Sequence, residues 1–380
     1  SYFAALIKIS DNHYIWYFNQ HHIFTDAYCF QLLFNRMSEI YKTLSSDEPS
    51  ASWISDNDAY IDSCRLPKKK ESLSAQSATL SKKDTISLYG NPLSNQGITD
   101  SRRVDFELEK EVISQINGYL GKQGLTTLAP NLDFLAFLMS SLIITFSKVG
   151  ENKTQHLISN IFSQRFNKKS KDLVKPLLEV LSSQVEWSSE DEYADIHRQI
   201  YAILMMRKSE TMGSNTLLAP AIVNFFDLRF EDFAGIKVKY KWHHCDYADN
   251  HHGIRFHIFR YFKDDKFTLA FDVKGRDEII PIGKRLANDF KSIVNQLTQE
   301  IPIKNLCLVS HSEISKLNEN ISKATNRRIN QADYFINVLR RRAEHSPDAI
   351  ALHNSTTQIT YRQLIEKSTA VANAIKGKVS

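Results

Sequence analysis

Tyr14-Ile15-Trp16-Tyr17-Phe18-Asn19-Gln20-His21-His22-Ile23-Phe24-Thr25-Asp26 runs an apolar stretch into two adjacent imidazoles, with a carboxylate shortly beyond them. Upstream, Ala4 to Ile9 forms a second apolar stretch, and the turn-forming pair Asp11-Asn12 separates the two, the pattern of a β-hairpin. Downstream, Tyr28, Phe30, Leu32, Leu33 and Met37 fall at helical spacing. The order predicted is hairpin, short connection, helix. Sheet hydrogen bonds hold a histidine at the strand end so that it can aim its ring into a cleft, and Asp26 is placed to fix the turn through a buried hydrogen bond or ion pair.

Working outward, the 380 residues are 42% hydrophobic, enough for a large core and more than one lobe or domain. The formal net charge is +5, with 43 acidic residues interspersed among the basic ones. The dense basic runs are Lys68-Lys69-Lys70 and Arg340-Arg341-Arg342, which leaves no nucleic-acid footprint. Cys29, Cys64, Cys245 and Cys307 are far apart, which predicts a reducing, cytoplasmic compartment rather than a disulfide framework. No secretory signal or long unbroken apolar run predicts a membrane span. The chain lacks an initiator methionine and opens inside a strand pattern, so a piece of a longer polypeptide with an incomplete first lobe is expected.

Ser45 to Ser101, rich in Ser, Asp, Asn and Lys, is predicted as a long surface connection. Then come a strand at Arg103–Leu108, a helix at Glu109–Leu120 ended by Gly121, and an apolar helix at Asn131–Val149. A strand at His156–Phe162, a helix at Ser189–Lys208 and a strand at Ala221–Phe226 follow. A hairpin of Arg255–Phe262 with Phe267–Val273 precedes a helix at Ile279–Gln299. Mixed elements with antiparallel hairpins predict an α+β layered fold rather than a doubly wound sheet. After a polar stretch at Leu308 to Arg328, helix Tyr334–Glu344, strands Ile350–His353 and Gln358–Thr360, and helix Tyr361–Lys376 close the chain.

His21-His22-x-x-x-Asp26 behind a hairpin resembles the HHxxxDG signature of condensation domains in nonribosomal peptide synthetases, members of a chloramphenicol-acetyltransferase-like superfamily. Tyr60-Ile61-Asp62 resembles their YxD element, and Pro302 to Lys316 resembles the linker that leaves them. Ser346-Pro347-Asp348-Ala349-Ile350-Ala351-Leu352, followed by Ile359-Thr360-Tyr361-Arg362-Gln363-Leu364, resembles the opening of an adenylation domain. There are departures: Ala27 replaces the signature glycine, and Leu178 to Ser183 lacks both the Gly and the Asn of the family's IGxFVNT-like element.

The resemblance implies two acetyltransferase-like lobes in a V, the first N-terminally incomplete. It divides the chain into a condensation domain at 1–305, a linker at 306–329 and an adenylation fragment at 330–380. It implies amide-bond formation: a donor acyl or peptidyl group passes from one carrier-protein thioester to the amino group of an aminoacyl thioester on another. His22 is then the catalytic candidate, because imidazole exchanges protons near neutral pH, or it orients the amine by hydrogen bonding. His21 is supporting, turned from the cleft by strand alternation, and Asp26 pairs with Arg165 to hold the loop. Partners would be donor and acceptor peptidyl carrier proteins and the adjacent adenylation domain, with no nucleic acid and no membrane. No intrinsic cofactor is implied, since substrates arrive as 4'-phosphopantetheine thioesters. Epimerisation of a carrier-bound aminoacyl group and a non-catalytic carrier-docking platform are the rival functions.

His243, His244, Cys245, His251, His252 and His257 form a dense set of zinc-ligand types, but adjacent histidines in a strand point opposite ways and no CxxC completes a site. A polar loop before the hairpin is expected there, and no metal. Phe225, Phe226, Phe230 and Phe233 read as core or lobe-interface residues, and Asn224 and Asp227 as residues at the border of a channel.

Overall fold

Tyr2–Ser10 (β1) and His13–Gln20 (β2) pair antiparallel about the turn at Asp11 and Asn12, with Leu6 opposite Trp16. These coordinates come from a computed structural model, which describes residues 2–45, 86–93, 99–150, 155–165, 168–209, 219–228, 230–248, 252–260, 267–308, 315, 318–321, 335–354 and 357–376. Tyr60-Ile61-Asp62, Cys64, Lys68-Lys69-Lys70 and His251 lie outside the described residues. Two compact units divide the chain, Ser1–Leu308 and Val309–Ser380.

In the first unit, Ala27–Leu44 (α1) follows the hairpin. Ser87–Leu88 (β3) and Asn91–Pro92 (β4) make a small hairpin through Gly90, whose φ of 79° suits a residue without a Cβ. Six strands form the main sheet: Ser101–Leu108 (β5), Gln155–Ser163 (β6), Leu178–Glu186 (β7), Ala221–Asp227 (β8), Ile254–Arg260 (β9) and Phe267–Lys274 (β10). Their order is β5-β10-β9-β8-β6-β7. The β6–β8 and β8–β9 pairs are parallel and the other three antiparallel. The sheet is therefore mixed, as an α+β class with crossover helices allows.

Alternation along β9 and β10 decides what each face meets. Phe256, Ile258, Leu269 and Phe271 join the main core, where Phe290 meets Phe256 and Phe271 at ring distances of 5.2 and 6.0 Å. Phe290 belongs to Ile280–Thr298 (α6), which shares this core with Lys110–Lys122 (α2), Pro130–Val149 (α3) and Tyr193–Ser209 (α5); the one-turn helix Lys168–Lys171 (α4) lies between β6 and β7. By length and composition α3 could cross a membrane, but almost all of its side chains are buried in this core. Its buried Ser140, Ser141 and Thr145 hydroxyls donate to the backbone oxygens of Ala136, Phe137 and Ser141, the usual way a helix satisfies such groups.

Phe226, Phe259 and Ala270 enter a second cluster with Leu228, Phe230 and Phe34 of α1, and Trp16 and Phe30 pack against it. Phe226 and Phe230 thus join α1 to the sheet, whereas Phe225 packs on the main core.

Three sequence expectations are corrected. Helix α2 runs through Gly121 to Lys122, and the left-handed residue beyond it is Gly124. The 45–101 region contains a docked element: Leu88 and Leu93 are buried, and the Tyr89 hydroxyl donates to Asp289 of α6 at 2.5 Å. Leu178 to Ser183, read only as a degenerate motif, begins β7. Its serines break the apolar alternation, and Ser182 pairs its hydroxyl with that of Ser159 across the strands.

In the second unit, Phe335–His345 (α7) and Tyr361–Lys376 (α8) flank the antiparallel strands Ile350–His353 (β11) and Gln358–Thr360 (β12). Arg362 donates to Asp348, and the Arg362 N–H bonds the Pro347 oxygen.

Candidate functional site

Strand β2 ends at Gln20, so both histidines leave the sheet and enter a turn, closed by the Phe24 N–H on the His21 oxygen at 3.0 Å. Strand alternation therefore does not set their directions. His21 Nδ1 accepts from the Ile23 N–H at 3.1 Å and its ring meets Phe24 edge-on at 6.3 Å. That bond leaves the proton of a neutral His21 ring on Nε2. The His22 side chain is exposed, and no hydrogen bond to its ring occurs among the described residues.

Asp26 caps α1: its backbone is extended (φ −115°) and its Oδ1 accepts from the Cys29 N–H at 2.8 Å. Ala27 is then the first helical residue and needs no positive φ, so the missing glycine costs the turn nothing. Asp26 Oδ2 accepts from the Leu177 N–H at 2.9 Å. Arg165, just beyond β6, brings Nη2 to within 3.2 and 3.1 Å of the two carboxylate oxygens, with both side chains buried. The same guanidinium donates to the Ser170, Leu173 and Lys175 oxygens and stacks over Tyr28 at 4.6 Å.

Burial pushes the Asp26 carboxyl upward, but the Leu177 N–H, the Cys29 thiol and N–H and the Arg165 charge outweigh it. The group sits below its ordinary 3.8. A buried pair held by this many bonds is an anchor rather than a proton donor: it ties the N-terminus of α1 to the sheet, and the exposed imidazole stands on the turn it holds.

Nothing in the sequence pattern singles out Cys29 or the segment before β7. Cys29 is fully buried; its thiol donates to the Lys175 oxygen at 3.0 Å and accepts from Arg165 Nη2 at 3.1 Å. Burial, together with the adjacent Asp26, raises the thiol to about 12.

The second histidine cluster is not a simple polar loop. His257 lies buried in β9, its Nε2 2.9 Å from Asp272 Oδ2; His244 Nδ1 is 3.2 Å from the same oxygen, and Arg103 binds both Asp272 oxygens at 2.7 and 2.8 Å. Ser101 Oγ meets His244 Nε2 at 2.8 Å. Burial lowers His257, and the Asp272 carboxyl is held far below the ordinary range: burial opposes this, but Arg103 and both histidines outweigh it. The network joins β5, β9, β10 and the 244 segment. Among the described residues no group of His, Cys, Asp and Glu is arranged to hold a metal ion. Asp227 accepts from Asn131 Nδ2 at 2.9 Å at the start of α3.

The family model for the condensation domain matches residues 2–213, more than half of the chain. No curated protein sequence matches it. The first condensation domain of the calcium-dependent antibiotic synthetase, bound to a substrate analogue, superposes with a TM-score of 0.59 at 12% identity, covering 81% of this chain and 70% of that one. A four-domain nonribosomal peptide synthetase, holo-AB3403 bound to AMP and glycine, matches with a TM-score of 0.58 at 12% identity, over 99% of this chain and 30% of its own. The EpoB cyclization-docking bidomain from Sorangium cellulosum gives 0.55 at 11% identity, over 80% of this chain and 64% of its own. At such identities these likenesses are of fold.

Proposed function

Because the chain belongs to the condensation-domain family of nonribosomal peptide synthetases, we propose that it forms amide bonds between carrier-bound substrates. A donor acyl or peptidyl group leaves its carrier thioester, and the α-amino group of an aminoacyl thioester on a second carrier takes it up. The C–N bond forms as the C–S bond breaks; the ammonium proton is lost and the departing thiolate is protonated. His22 is the residue proposed to handle that proton or to orient the amine. His21, Asp26 and Arg165 support the turn.

The observation that carries this reading is an exposed imidazole on a turn whose far end, Asp26, is locked by buried hydrogen bonds and an ion pair. Positioning of this kind lets one proton-transfer group contribute about 10²–10⁴-fold. The same proposal includes two lobes in a V with the carriers at opposite mouths, and 4'-phosphopantetheine arms delivering the thioesters. It reads residues 1–305 as the condensation domain, 306–329 as linker and 330–380 as the start of an adenylation domain. The match of the four-domain synthetase over almost the whole chain supports the last assignment. The same reading includes a reducing, cytoplasmic setting.

The test is a single-turnover assay with preloaded donor and acceptor carriers, following the acceptor thioester by mass and its chirality, for wild type and His22→Ala of equal thermal stability. Transfer that collapses in the variant is the expected result. Inversion of the acceptor centre without transfer would instead indicate epimerisation, and no transfer by either protein would leave a docking platform.

A further inference from the structure

The turn bearing His22 is held through Asp26, and Asp26 in turn by the connection between β6 and β7. Four backbone groups of that connection enter the buried cluster. The Ser170 and Leu173 oxygens each accept from Arg165 Nη1 at 2.7 Å. The Lys175 oxygen accepts from Arg165 Nη2 at 2.6 Å and from the Cys29 thiol at 3.0 Å. The Leu177 N–H donates to Asp26 at 2.9 Å.

Pro176 stands between the last two. Its ring fixes its own φ and disfavours the helical region for Lys175. The Lys175 carbonyl and the Leu177 N–H are therefore presented with little backbone freedom, one to the guanidinium and thiol and the other to the carboxylate. Having no N–H, Pro176 also adds no donor to a cluster whose acceptors are already taken.

We infer that Pro176 is a positioning residue for His22, acting through Lys175 and Leu177 on the Asp26–Arg165–Cys29 cluster. The inference rests on the acyl-transfer reading. A misplacement of about 1 Å at a reacting group can cost roughly a hundredfold in rate, and Asp26 is the point where the connection and the turn meet.

The experiment compares wild type, Pro176→Ala, Cys29→Ala and His22→Ala of the intact protein in the single-turnover assay. Alkylation by iodoacetamide, mapped to Cys29 by mass, is followed alongside in the variants that keep the thiol. Pro176→Ala is expected to lower the transfer rate by about tenfold to a hundredfold, with the half-saturating acceptor concentration unchanged, and to speed labelling of Cys29, which in wild type waits on unfolding. Cys29→Ala removes the thiol without touching Pro176 and is expected to slow transfer in the same KM-neutral way.

Full turnover in either variant overturns the inference, as does slow turnover in Pro176→Ala with Cys29 as protected as in wild type. Wild-type transfer by His22→Ala would sink the acyl-transfer role of His22 instead. Cys29 labelling would then decide separately whether Pro176 holds the cluster, and unchanged labelling would overturn that too.

Discussion

Arg165 Nη2 lies 3.1 Å from Asp26 Oδ2, across 139 residues of sequence, and both side chains are almost wholly withdrawn from water. Desolvating two charges costs several kcal/mol per ion, and their attraction offsets this only when the remaining hydrogen-bonding capacity is also satisfied. Here the Cys29 and Leu177 N–H groups complete the carboxylate, and three backbone oxygens accept from the two terminal nitrogens of the guanidinium, while its Nε has no hydrogen-bond partner among the described residues. The pair fixes where α1 begins relative to the sheet.

Asp26→Asn leaves a buried guanidinium without its counter-charge. It should lower unfolding free energy by about 3–5 kcal/mol, read as a shift in the midpoint of chemical denaturation. Arg165→Met should cost a similar amount, and the double variant less than the two together, because the pair forms one unit. Additive losses would show that the two charges do not depend on each other.

Two acid-linked losses of stability should be separable. His257 and His197 are both held below 6.5 by burial. The unfolded chain therefore takes up their protons first, and stability should fall as pH drops below 6.5. His257→Gln should flatten that limb. Asp26 titrates below its ordinary 3.8, so its contribution is present above that pH and is lost as pH falls further, through the folded value. That lower limb, to which the depressed Asp272 also contributes, should be shallower in Asp26→Asn. Unfolding midpoints across pH, compared among the three proteins, check both.

The adjacent histidines should behave differently. His22 is exposed and free of hydrogen bonds among the described residues, so His22→Ala should change stability by less than about 0.5 kcal/mol while turnover falls by about 10²–10⁴-fold. His21 accepts the Ile23 N–H within the turn. His21→Ala should cost about 0.5–1.5 kcal/mol and reduce turnover less than His22→Ala does. Equal kinetic losses would remove the distinction between them.

Gly283 lets α6 lie close to the sheet: an added Cβ would sit 2.9 Å from Val104 Cγ2 and 3.5 Å from Val273 Cγ2. Gly283→Ala should therefore destabilise by about 1–3 kcal/mol through overpacking, although alanine favours helix by about 1 kcal/mol. Adding Val104→Ala should recover part of the loss. A stabilised Gly283→Ala protein would mean that β5 yields freely.

Much of this protein is local, and the sequence determined that much alone. Apolar stretches around Asp11-Asn12 specify the first hairpin, helical periodicity specifies α1, a long apolar run ended by Gly150 specifies α3, and the histidine pair with Asp26 marks the turn between β2 and α1. Each of these depends on neighbours a few residues away, so pattern and turn chemistry suffice. Strand β7 escaped notice because Ser182 and Ser183 interrupt its alternation, and its place follows from pairing with β6. The end of α2 was misplaced because Gly121 and Gly124 are equal candidates until backbone φ is known.

Only the tertiary structure decided the rest. It took both histidines out of the strand, seated Phe34 against Phe226 and Phe230, gathered His244 and His257 on Asp272, and brought Cys29 and the Pro176 segment to Arg165. These groups meet because a folded sheet sets strand ends distant in sequence side by side. What they exchange is burial and buried hydrogen bonds, neither of which leaves a period or a spacing in the chain.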